Sequence, residues 1–470
     1  MNILIVGNGF DLSHYLPTKY DHFMVAMNAI ENWDESHEGM TFDDLFCKDY
    51  WYKDKKTGEE YQNVFFQYTK AMYYTNEIRI TLDQITELKK QLKENVWYQY
   101  FSDHVREVKT WIDFETKINE ALKVVAIFIL KLEKKQDDEG NFSHQICFYG
   151  KDEDNQIFLT REHCNILEKL KILISSNYDN YNENFFTDSI NIDDPDYGDL
   201  RFYINDQHIQ YYSGFGKLNN FKLLNQLQIM LDNFIVIFNT YLEILVSKLS
   251  RVDLLSIDSK DWLNPDKIFS FNYTNTYQRI HDSIEVEYLH GSHGEHQNIV
   301  LGVSDLENES LKKIKAYGFT KYHQKLFKDT DYLFLDFFKE KVKIHKKRVE
   351  YFEKDFGEKD PIAKKFERQT IMEVDSKLNL NISIWGHSLD VSDKDYVIDL
   401  FSLNDDLDRN VRVIVYYFDN NAKFSLLNNL LAILGKDKVE HWMKKKWLQF
   451  KENPKIVAEN PITLEDLPKR

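Results

Sequence analysis

The residues best suited to chemistry lie at the start of the chain, where the apolar run ILIV leads directly into GNGFD. Gly7 and Gly9 let the backbone approach a ligand, and Asn8 tolerates the left-handed conformation nearly as well as glycine. A strand followed by such a turn and a helix directs amide groups at an anion. The dinucleotide fingerprint lacks its third glycine here. The stretch from Gly7 to Phe10 therefore indicates either a nucleotide-binding turn or a tight turn without a ligand.

Asp11 follows this turn, and the sequence supports two interpretations of it. A carboxylate at this place can cap the following helix. It can also meet a ribose hydroxyl or a base, although its negative charge is unfavourable beside a pyrophosphate.

A second group of polar residues follows the apolar run KIFSF, in the sequence FNYTNT. Asn272, Thr274 and Asn275 are expected at the carboxyl end of that strand, where open α/β sheets bind their ligands. The alternative is that these side chains cap the next helix.

Histidine and glycine end the next strand-like run, in the sequence YLHGSHGEH. His290, beside Gly291 at a strand end, is placed to act as a general base or to contact a ribose. His293 and His296 complete an HxxHxxH spacing. A glycine-containing loop gives those three residues no fixed face, so we expect solvated loop histidines and no metal site.

The sequence WGHSLD resembles a nucleophile elbow as far as its serine. Asp390 replaces the last glycine of that motif, where the sharp elbow needs a close approach. Ser388 is therefore expected to bind phosphate or ribose and not to act as an acyl-transfer nucleophile. Asp390 and Asp393 are interpreted as helix caps or polar contacts.

These motifs lie on short apolar runs bounded by Gly, Asn or Asp, which predicts an α/β fold with a mostly parallel, buried sheet. The predicted strands are ILIV at the start, KIFSF, VEYL, NIVLGVSD (residues 298–305), ISIW and VRVIVYYF.

Residues 30–259 show a different pattern, with apolar residues at three- and four-residue spacing between charges. We predict a mainly helical insertion there, within a discontinuous α/β core formed by residues 1–29 and 260–435. Residues 436–470 are predicted to form a last helix and a tail. Glu115, in the insertion sequence WIDFE, is a candidate for reaching the cleft.

Composition excludes several classes of protein. The formal net charge is −17, with 77 acidic against 60 basic residues, so broad nucleic-acid binding is disfavoured. Cys47, Cys147 and Cys164 are widely spaced and lack a C-x-x-C pair, which argues against disulfide or zinc frameworks. The apolar runs look too short for a membrane span or a signal peptide, so we expect a cytoplasmic protein.

The order of the motifs is more specific than any one of them. IVGNGFDLSHYLPTKYDHF, WIDFE, FSFNYTNT, YLHGS and WGHSLDVSD together resemble the bacteriophage abortive infection family AbiH, nearly from end to end. The resemblance implies a bacterial protein that defends against phage.

The same ordered set is similar, more distantly, to the sirtuin-type NAD-binding core. That similarity implies a Rossmann-like fold in which Gly7 and Gly9 cradle the pyrophosphate of NAD. It further implies that Asn272 lies beside the nicotinamide ribose and that His290 is the catalytic base. The separation of Asn272 and His290 is close to the spacing in sirtuins.

Two departures from sirtuins bear on the chemistry. Asp11 stands where sirtuins have a serine, and the chain has no cysteine-rich zinc module, so protein deacylation is not implied. By the same resemblance, Gly386 and Ser388 hold the adenosine side. Sirtuin-like domains in phage defence often hydrolyse NAD, and loss of NAD would stop the growth of an infected cell.

The sequence thus predicts an NAD-binding defence protein that hydrolyses the nicotinamide–ribose bond, with Asp11, Asn272 and His290 as catalytic residues. The predicted nucleotide contacts are Gly7, Asn8, Gly9, Phe10, Thr274, Asn275, Gly291, Gly386, His387, Ser388 and Asp390.

Two other functions stay open at this point. One is a nucleotide or phage-component sensor without turnover. The other is a metal-dependent toxin that cleaves nucleic acid with acids such as Asp11, Asp390 and Asp393. A phage trigger, a partner defence protein and a second copy of the chain are kept open as partners, and a membrane is not expected.

Overall fold

The fold was obtained as a computed structural model. It describes residues 1–34, 36–46, 51–53, 60–62, 64–102, 111–139, 147–148, 156–157, 159–177, 200–212, 215–330, 334–355, 361–406 and 411–458.

The strands of the described residues are β1 (Asn2–Val6), β2 (Gly39–Thr41), β3 (Trp51–Lys53), β4 (Glu60–Gln62), β5 (Arg79–Thr81), β6 (Cys147–Phe148), β7 (Gln156–Ile157), β8 (Leu173–Asn177), β9 (Leu200–Ile204), β10 (Ile209–Tyr212), β11 (Phe215–Leu218), β12 (Leu255–Asp258), β13 (Lys267–Ser270), β14 (Val286–Tyr288), β15 (Leu380–Trp385), β16 (Val411–Tyr417), β17 (Leu448–Glu452) and β18 (Lys455–Ala458). The α-helices are α1 (Asn8–Ser13), α2 (Tyr20–Glu31), α3 (Phe42–Phe46), α4 (Val64–Met72), α5 (Leu82–Glu94), α6 (Val96–Ser102), α7 (Trp111–Glu139), α8 (Arg161–Lys169), α9 (Asn220–Ile244), α10 (Thr276–Ile280), α11 (Glu309–Lys313), α12 (Lys321–Phe327), α13 (Asp336–Asp355), α14 (Pro361–Lys377), α15 (Lys394–Asp406), α16 (Asn420–Leu434) and α17 (Lys436–Lys444).

The core is a six-stranded sheet in the order β14-β13-β1-β15-β16-β17, and every pair in it is parallel. Numbered by their order along the chain within this sheet, the strands run 3-2-1-4-5-6, which is the order of the Rossmann dinucleotide-binding fold. The predicted α/β class and parallel sheet are confirmed, and the sheet is compatible with a Rossmann-like core. The likeness to sirtuins stays a prediction.

The position of β1 follows from its composition. Ile3, Leu4, Ile5 and Val6 are all nearly inaccessible to solvent, because β1 lies between β13 and β15 with packed layers on both faces. A strand buried on both faces needs this unbroken apolar run and does not show the alternation of a half-exposed strand.

The insertion combines helices with small sheets. A four-stranded sheet, β7-β6-β9-β8, and the pairs β2-β5, β3-β4 and β10-β11 accompany helices α3 to α9. Helix α2 packs with this body, since Phe23 contacts the rings of Phe234, Phe238 and Tyr241 on α9. The core of the insertion therefore reaches back into the first 29 residues.

Helix α9 explains an apolar stretch that also meets the criteria for a membrane span. Residues 220–248 are long and apolar enough to cross a membrane, and half of their most apolar window is buried inside the protein. Leu227, Leu231 and Phe234 point into the insertion core, which is the usual place for such a helix in a globular domain.

The C-terminal segment differs from the predicted helix and tail. After α17, β17 joins the main sheet beside β16, and β18 pairs with β12 at the end of the insertion. Leu448 and Trp447 are buried there, so burial in the core fixes this segment. Residues 459–470 lie outside the described residues.

The expected strand at residues 298–305 is absent. Ile299, Val300 and Leu301 are buried, but only Val303 forms a β-bridge, with Thr320. The side chain of Gln324 forms the hydrogen bonds of the Leu301 backbone instead. Its Oε1 accepts from the Leu301 amide at 3.0 Å, and its Nε2 donates to the Leu301 carbonyl at 2.9 Å. An apolar run can thus be buried without a ladder when a side-chain amide takes the place of a neighbouring strand.

Candidate functional site

The predicted site residues lie at the carboxyl ends of neighbouring strands in the main sheet. Strands β14, β13, β1 and β15 are parallel neighbours, so their carboxyl ends lie side by side. Each end continues into a predicted motif, with Gly7 after β1, Asn272 after β13, His290 after β14 and Gly386 after β15. The strand order reverses between β1 and β15, and this switch point is where such folds bind their ligands.

The glycines of the opening turn pack against the turn after β15. A Cβ atom on Gly7 would lie 2.5 Å from the Cα of His387, and one on Gly9 would lie 2.7 Å from the Cα of Gly386. Gly386 has φ +74°, and a Cβ there would lie 2.0 Å from the amide nitrogen of Phe10. Close backbone packing therefore requires these three glycines.

Amides of this turn also donate inside the protein. The amide of Gly7 donates to Trp385 O at 3.1 Å, that of Gly9 to Gly386 O at 2.8 Å, and that of Phe10 to Gly7 O at 2.8 Å. Asn272 completes the junction, because its Nδ2 donates to Gly7 O at 2.9 Å. In this arrangement these amides hold two strand ends together, and the predicted role of Gly7 and Gly9 in cradling phosphate stays a prediction.

Two other residues of the turn have local partners. Asn8 Oδ1 accepts from the Thr18 hydroxyl at 2.7 Å. The Phe10 ring is fully buried, edge-on to Trp385 at 5.0 Å between centroids. Phe10 thus anchors α1 in the core beneath the turn.

Asp11 does not cap a helix. Gly7 is at the N-cap of α1, and Asp11 lies within the helix with its side chain buried to 1% exposure. The Thr274 hydroxyl donates to its Oδ2 at 2.5 Å and lies 3.0 Å from the Thr276 hydroxyl. Among the described residues, Oδ1 has no hydrogen-bond partner.

This environment changes the acidity of Asp11. Burial raises the pKa of its carboxyl group to about 6, although the hydroxyl groups of Thr274 and Thr276 and the charge of Arg279 act in the opposite direction. The Arg279 guanidinium donates to the carbonyl groups of Val246 and Leu249, at 3.1 Å and 2.7 Å. Asp11 is thus a buried acid held by hydroxyl groups, with its Oδ1 enclosed in the protein.

Asp393 is at the centre of a second buried group. Its Oδ1 lies 3.1 Å from His290 Nε2, and its Oδ2 lies 3.4 Å from His387 Nε2. The Phe271 ring stands between the two imidazoles, 5.1 Å from His290 and 3.9 Å from His387. Burial lowers the pKa of His290 to about 3, against the effect of Asp393, so the ring is neutral at physiological pH.

Lys321 links this group to the insertion. Its Nζ lies 2.7 Å from Glu115 Oε1 on α7 and 3.4 Å from Asp393 Oδ1. Burial opposes the charge of Lys321, but the two carboxylates hold its pKa above the usual value. Burial raises the pKa of Glu115 to about 7, and Lys321 offsets part of that effect. The sequence prediction that Glu115 reaches the strand-end region agrees with this position.

The family of the chain can be read from its sequence as a whole. The family described as bacteriophage abortive infection AbiH matches residues 3–418. The chain belongs to this AbiH family. No curated protein and no solved structure matches the chain.

Membership in the AbiH family indicates a role in abortive infection, a defence against phage. The matched range includes all four strand ends and the part of the insertion that carries Glu115. The family assignment confirms the resemblance to AbiH. The similarity to sirtuins stays a prediction, and NAD binding or cleavage belongs to the proposals below.

Other residues that were predicted to contact the nucleotide in this AbiH-family protein lie in the turn after β15. Ser388 is exposed, and its backbone carbonyl accepts from Asn429 at 2.9 Å. The left-handed residue of this turn is Leu389, at φ +53°, which differs from the strained serine of a nucleophile elbow. Asp390 caps a short 3₁₀ turn by accepting from the amide of Ser392 at 2.9 Å.

The loop after β14 separates its histidines. Gly291 forms a tight turn at φ +80°, against the carbonyl of Asn298. His293 pairs with Glu243 of α9, and His296 is exposed. Within the described ranges, no group of three or more His, Cys, Asp or Glu residues could hold a metal ion.

The sequence pointed to the strand ends but missed two residues that shape the site. Lys321 begins α12 in an ordinary amphipathic pattern, and nothing in it signals a buried lysine. Thr276, beside the predicted Thr274, could have been found by extending the FNYTNT motif by one residue. Asn275 lies at the N-cap of α10, with its Oδ1 buried and unpaired among the described atoms.

The close packing of the two turns predicts that Gly9→Ala destabilises the protein, although alanine is normally favoured over glycine in a helix. Replacing glycine by alanine inside a helix usually stabilises by about 0.5–1 kcal/mol. We expect Gly9→Ala to lower the free energy of unfolding of the ligand-free protein, because the new methyl group meets the backbone of Gly386. Urea unfolding of both proteins measures the difference. A gain in stability would show that the close packing does not exist.

The raised pKa of Asp11 predicts a pH-dependent stability. Its pKa is 3.8 for the free group and about 6 in the fold, so the native state holds this proton more tightly. Stability from this group is present below about pH 4 and is lost as the pH rises through 6. Relative to wild type, Asp11→Asn should therefore gain about 2.5 kcal/mol between pH 4 and pH 7, at about 1.4 kcal/mol for each pKa unit, since pH 4 lies slightly above the free value.

Unfolding of both proteins at the two pH values measures this gain. An equal difference between variant and wild type at pH 4 and pH 7 would contradict the buried state of the carboxyl group.

Proposed function

We propose that this AbiH-family protein is a phage-defence effector that binds NAD at the strand ends and hydrolyses its nicotinamide–ribose bond. The observation that carries the proposal is that Asp11, Asn272 and His290 follow the carboxyl ends of three neighbouring parallel strands, β1, β13 and β14, in a 3-2-1-4-5-6 sheet. These residues are far apart in the chain, and the sheet alone does not require a carboxylate and an imidazole at this edge.

Cleavage of the nicotinamide–ribose bond has two chemical requirements that these residues suit. The bond from C1′ to the pyridinium nitrogen breaks, and nicotinamide leaves as a neutral molecule with the bonding electron pair. Positive charge then develops on the ribose, and an adjacent carboxylate stabilises it. In the proposal this carboxylate is Asp11, whose unpaired Oδ1 also accepts a ribose hydroxyl.

The second requirement is a water that attacks C1′. In the proposal the neutral imidazole of His290 accepts a proton from this water, and the products are nicotinamide and ADP-ribose. Burial lowers the pKa of His290, so its ring is unprotonated at physiological pH but is a weak base while the site is buried. In the proposal the ring takes the proton once the site has opened to water, which removes the effect of burial, and the charge of Asp393 then stabilises the protonated ring.

Other residues of the site have positioning roles in this proposal. Asn272 holds the opening turn by donating to Gly7 O, and Thr274 orients Asp11. This differs from the sequence-based expectation, which placed Asn272 beside the nicotinamide ribose.

Access to this site requires movement of the insertion. His290 is 6% exposed and Asp11 is 1% exposed. Glu115 on α7 binds Lys321, and Asn239 on α9 exchanges two hydrogen bonds with Gly294, in the loop that follows His290. A closed resting state of this kind suits a defence effector that must be silent until a phage component or partner protein opens it.

A binding module without turnover is the second candidate, and the burial of the site is the observation that favours it. A toxin that uses Asp11, Asp390 and Asp393 with a metal has less support. Asp390 caps a turn, and Asp393 is shared by two imidazoles and a lysine.

Measurement of nicotinamide release tests the proposal. Purified protein, with and without extract of phage-infected cells, is incubated with NAD, and products are separated by chromatography. We expect nicotinamide and ADP-ribose from the wild type and a loss of about a hundredfold or more in His290→Ala. The matched control is His296→Ala, an exposed histidine on the same loop, which should retain activity.

Three outcomes are distinguished. Release that depends on His290 supports hydrolysis. Tight NAD binding without any product would replace the proposal with the sensor function. Intact NAD and no binding under either condition would reject a nucleotide site.

A further inference from the structure

Asp393 holds a position that the proposed mechanism has not used. It ends the short 3₁₀ turn Val391–Asp393, between the turn after β15 and helix α15, and is 8% exposed. Burial opposes its charge, but Lys321 and the neighbouring imidazoles hold its pKa well below the usual range. Asp393 is therefore a permanent buried anion beside His290.

Hydrogen bonding fixes the tautomer of one neighbour of Asp393. The amide of Leu389 donates to His387 Nδ1 at 3.0 Å, so this nitrogen carries a lone pair. The ring proton is then on Nε2, which lies 3.4 Å from Asp393 Oδ2. His387 thereby orients one carboxylate oxygen of Asp393.

The other oxygen of Asp393 faces His290 and Lys321. Oδ1 lies 3.1 Å from His290 Nε2 and 3.4 Å from Lys321 Nζ. Although the distance to His290 is short, Nε2 makes no hydrogen bond among the described residues. Alignment that improves only when substrate binds is common among catalytic groups. An anion at this place favours the His290 tautomer with the proton on Nε2.

The opposite nitrogen of His290 is then the proton acceptor. The His290 ring is held edge-on to Phe271, at 5.1 Å between centroids, and Nε2 is the nitrogen that faces Asp393. With Nε2 protonated, the lone pair of Nδ1 is available to a water or a ribose hydroxyl.

We propose that Asp393 is the positioning residue of the site, which orients His290 and holds it in the tautomer with Nδ1 unprotonated. His387 and Lys321 in turn fix the two oxygens of Asp393. The catalytic consequence of this inference rests on the proposed NAD hydrolysis, whereas the tautomer itself can be measured without any reaction.

The competing interpretation is that Asp393 serves only as the counter-ion of the buried Lys321. Removing one member of a buried ion pair leaves an uncompensated buried charge and is strongly destabilising, so Asp393→Asn alone could fail to fold. The double variant Asp393→Asn with Lys321→Met, made on a Glu115→Gln background so that Glu115 is not left unpaired, removes the buried charges and keeps the test informative. Asp395→Asn, an exposed acid two residues further along, is the matched control.

Two measurements decide between these interpretations. Nitrogen-15 NMR of histidine-labelled protein reports which ring nitrogen is protonated, and the His290 signals are identified by their absence in His290→Ala. We expect one protonated and one unprotonated nitrogen in the wild type, with Nε2 protonated, and averaged shifts in the single or double variant. Nicotinamide release should show kcat lowered by about tenfold or more with KM little changed, since Asp393 orients the base and does not bind substrate.

The outcomes separate this inference from the proposed function. Unchanged His290 shifts and unchanged kcat in the folded double variant would overturn the positioning role and leave Asp393 as a counter-ion. If the wild type releases no nicotinamide, the proposed hydrolysis fails, while the nitrogen shifts still decide whether Asp393 fixes the tautomer.

Discussion

The contact between two backbone turns is the constraint on which the rest of the site depends. The turn after β1 and the turn after β15 approach so closely that glycine is required at positions 7, 9 and 386. Asn272 joins β13 to the same junction by binding the carbonyl of Gly7. Because three neighbouring strand ends are fixed in this way, the positions of Asp11 and His387, which directly follow the two turns, are set by the backbone itself.

The charged residues near this junction are arranged in a way that is unusual for strand ends with a purely structural role. The carboxylate of Asp11 is buried, and one of its oxygens has no hydrogen-bond partner among the described residues. Two histidines and a lysine surround the carboxylate of Asp393. Buried charges cost stability unless they are paired, and perturbed acids in such places are a mark of functional sites. Glu115 on α7 of the insertion is joined to this group of charges through Lys321, so the insertion contributes to the electrostatics of the strand ends.

Much of this fold follows from local sequence, whereas the charge network does not. The apolar runs of β1, β13, β15 and β16 predicted a buried parallel sheet, and the motifs at their ends predicted which residues would meet. The prediction of a strand at residues 298–305 was wrong, because the side chain of Gln324, distant in sequence, hydrogen-bonds to the backbone of this run. The burial of Lys321 could not be predicted from the sequence, because it depends on Glu115 and Asp393, which are close to Lys321 only in the tertiary structure.

The central claim is that Asp11 and His290 face one nucleotide at the strand ends. A crystal structure with ADP-ribose, which lacks the scissile bond, tests it most directly. The account predicts the terminal ribose within hydrogen-bond distance of Asp11 Oδ1 and beside His290 Nδ1, with the pyrophosphate near the switch point between β1 and β15. ADP-ribose bound elsewhere on the protein, with both groups still buried and untouched, would contradict the claim.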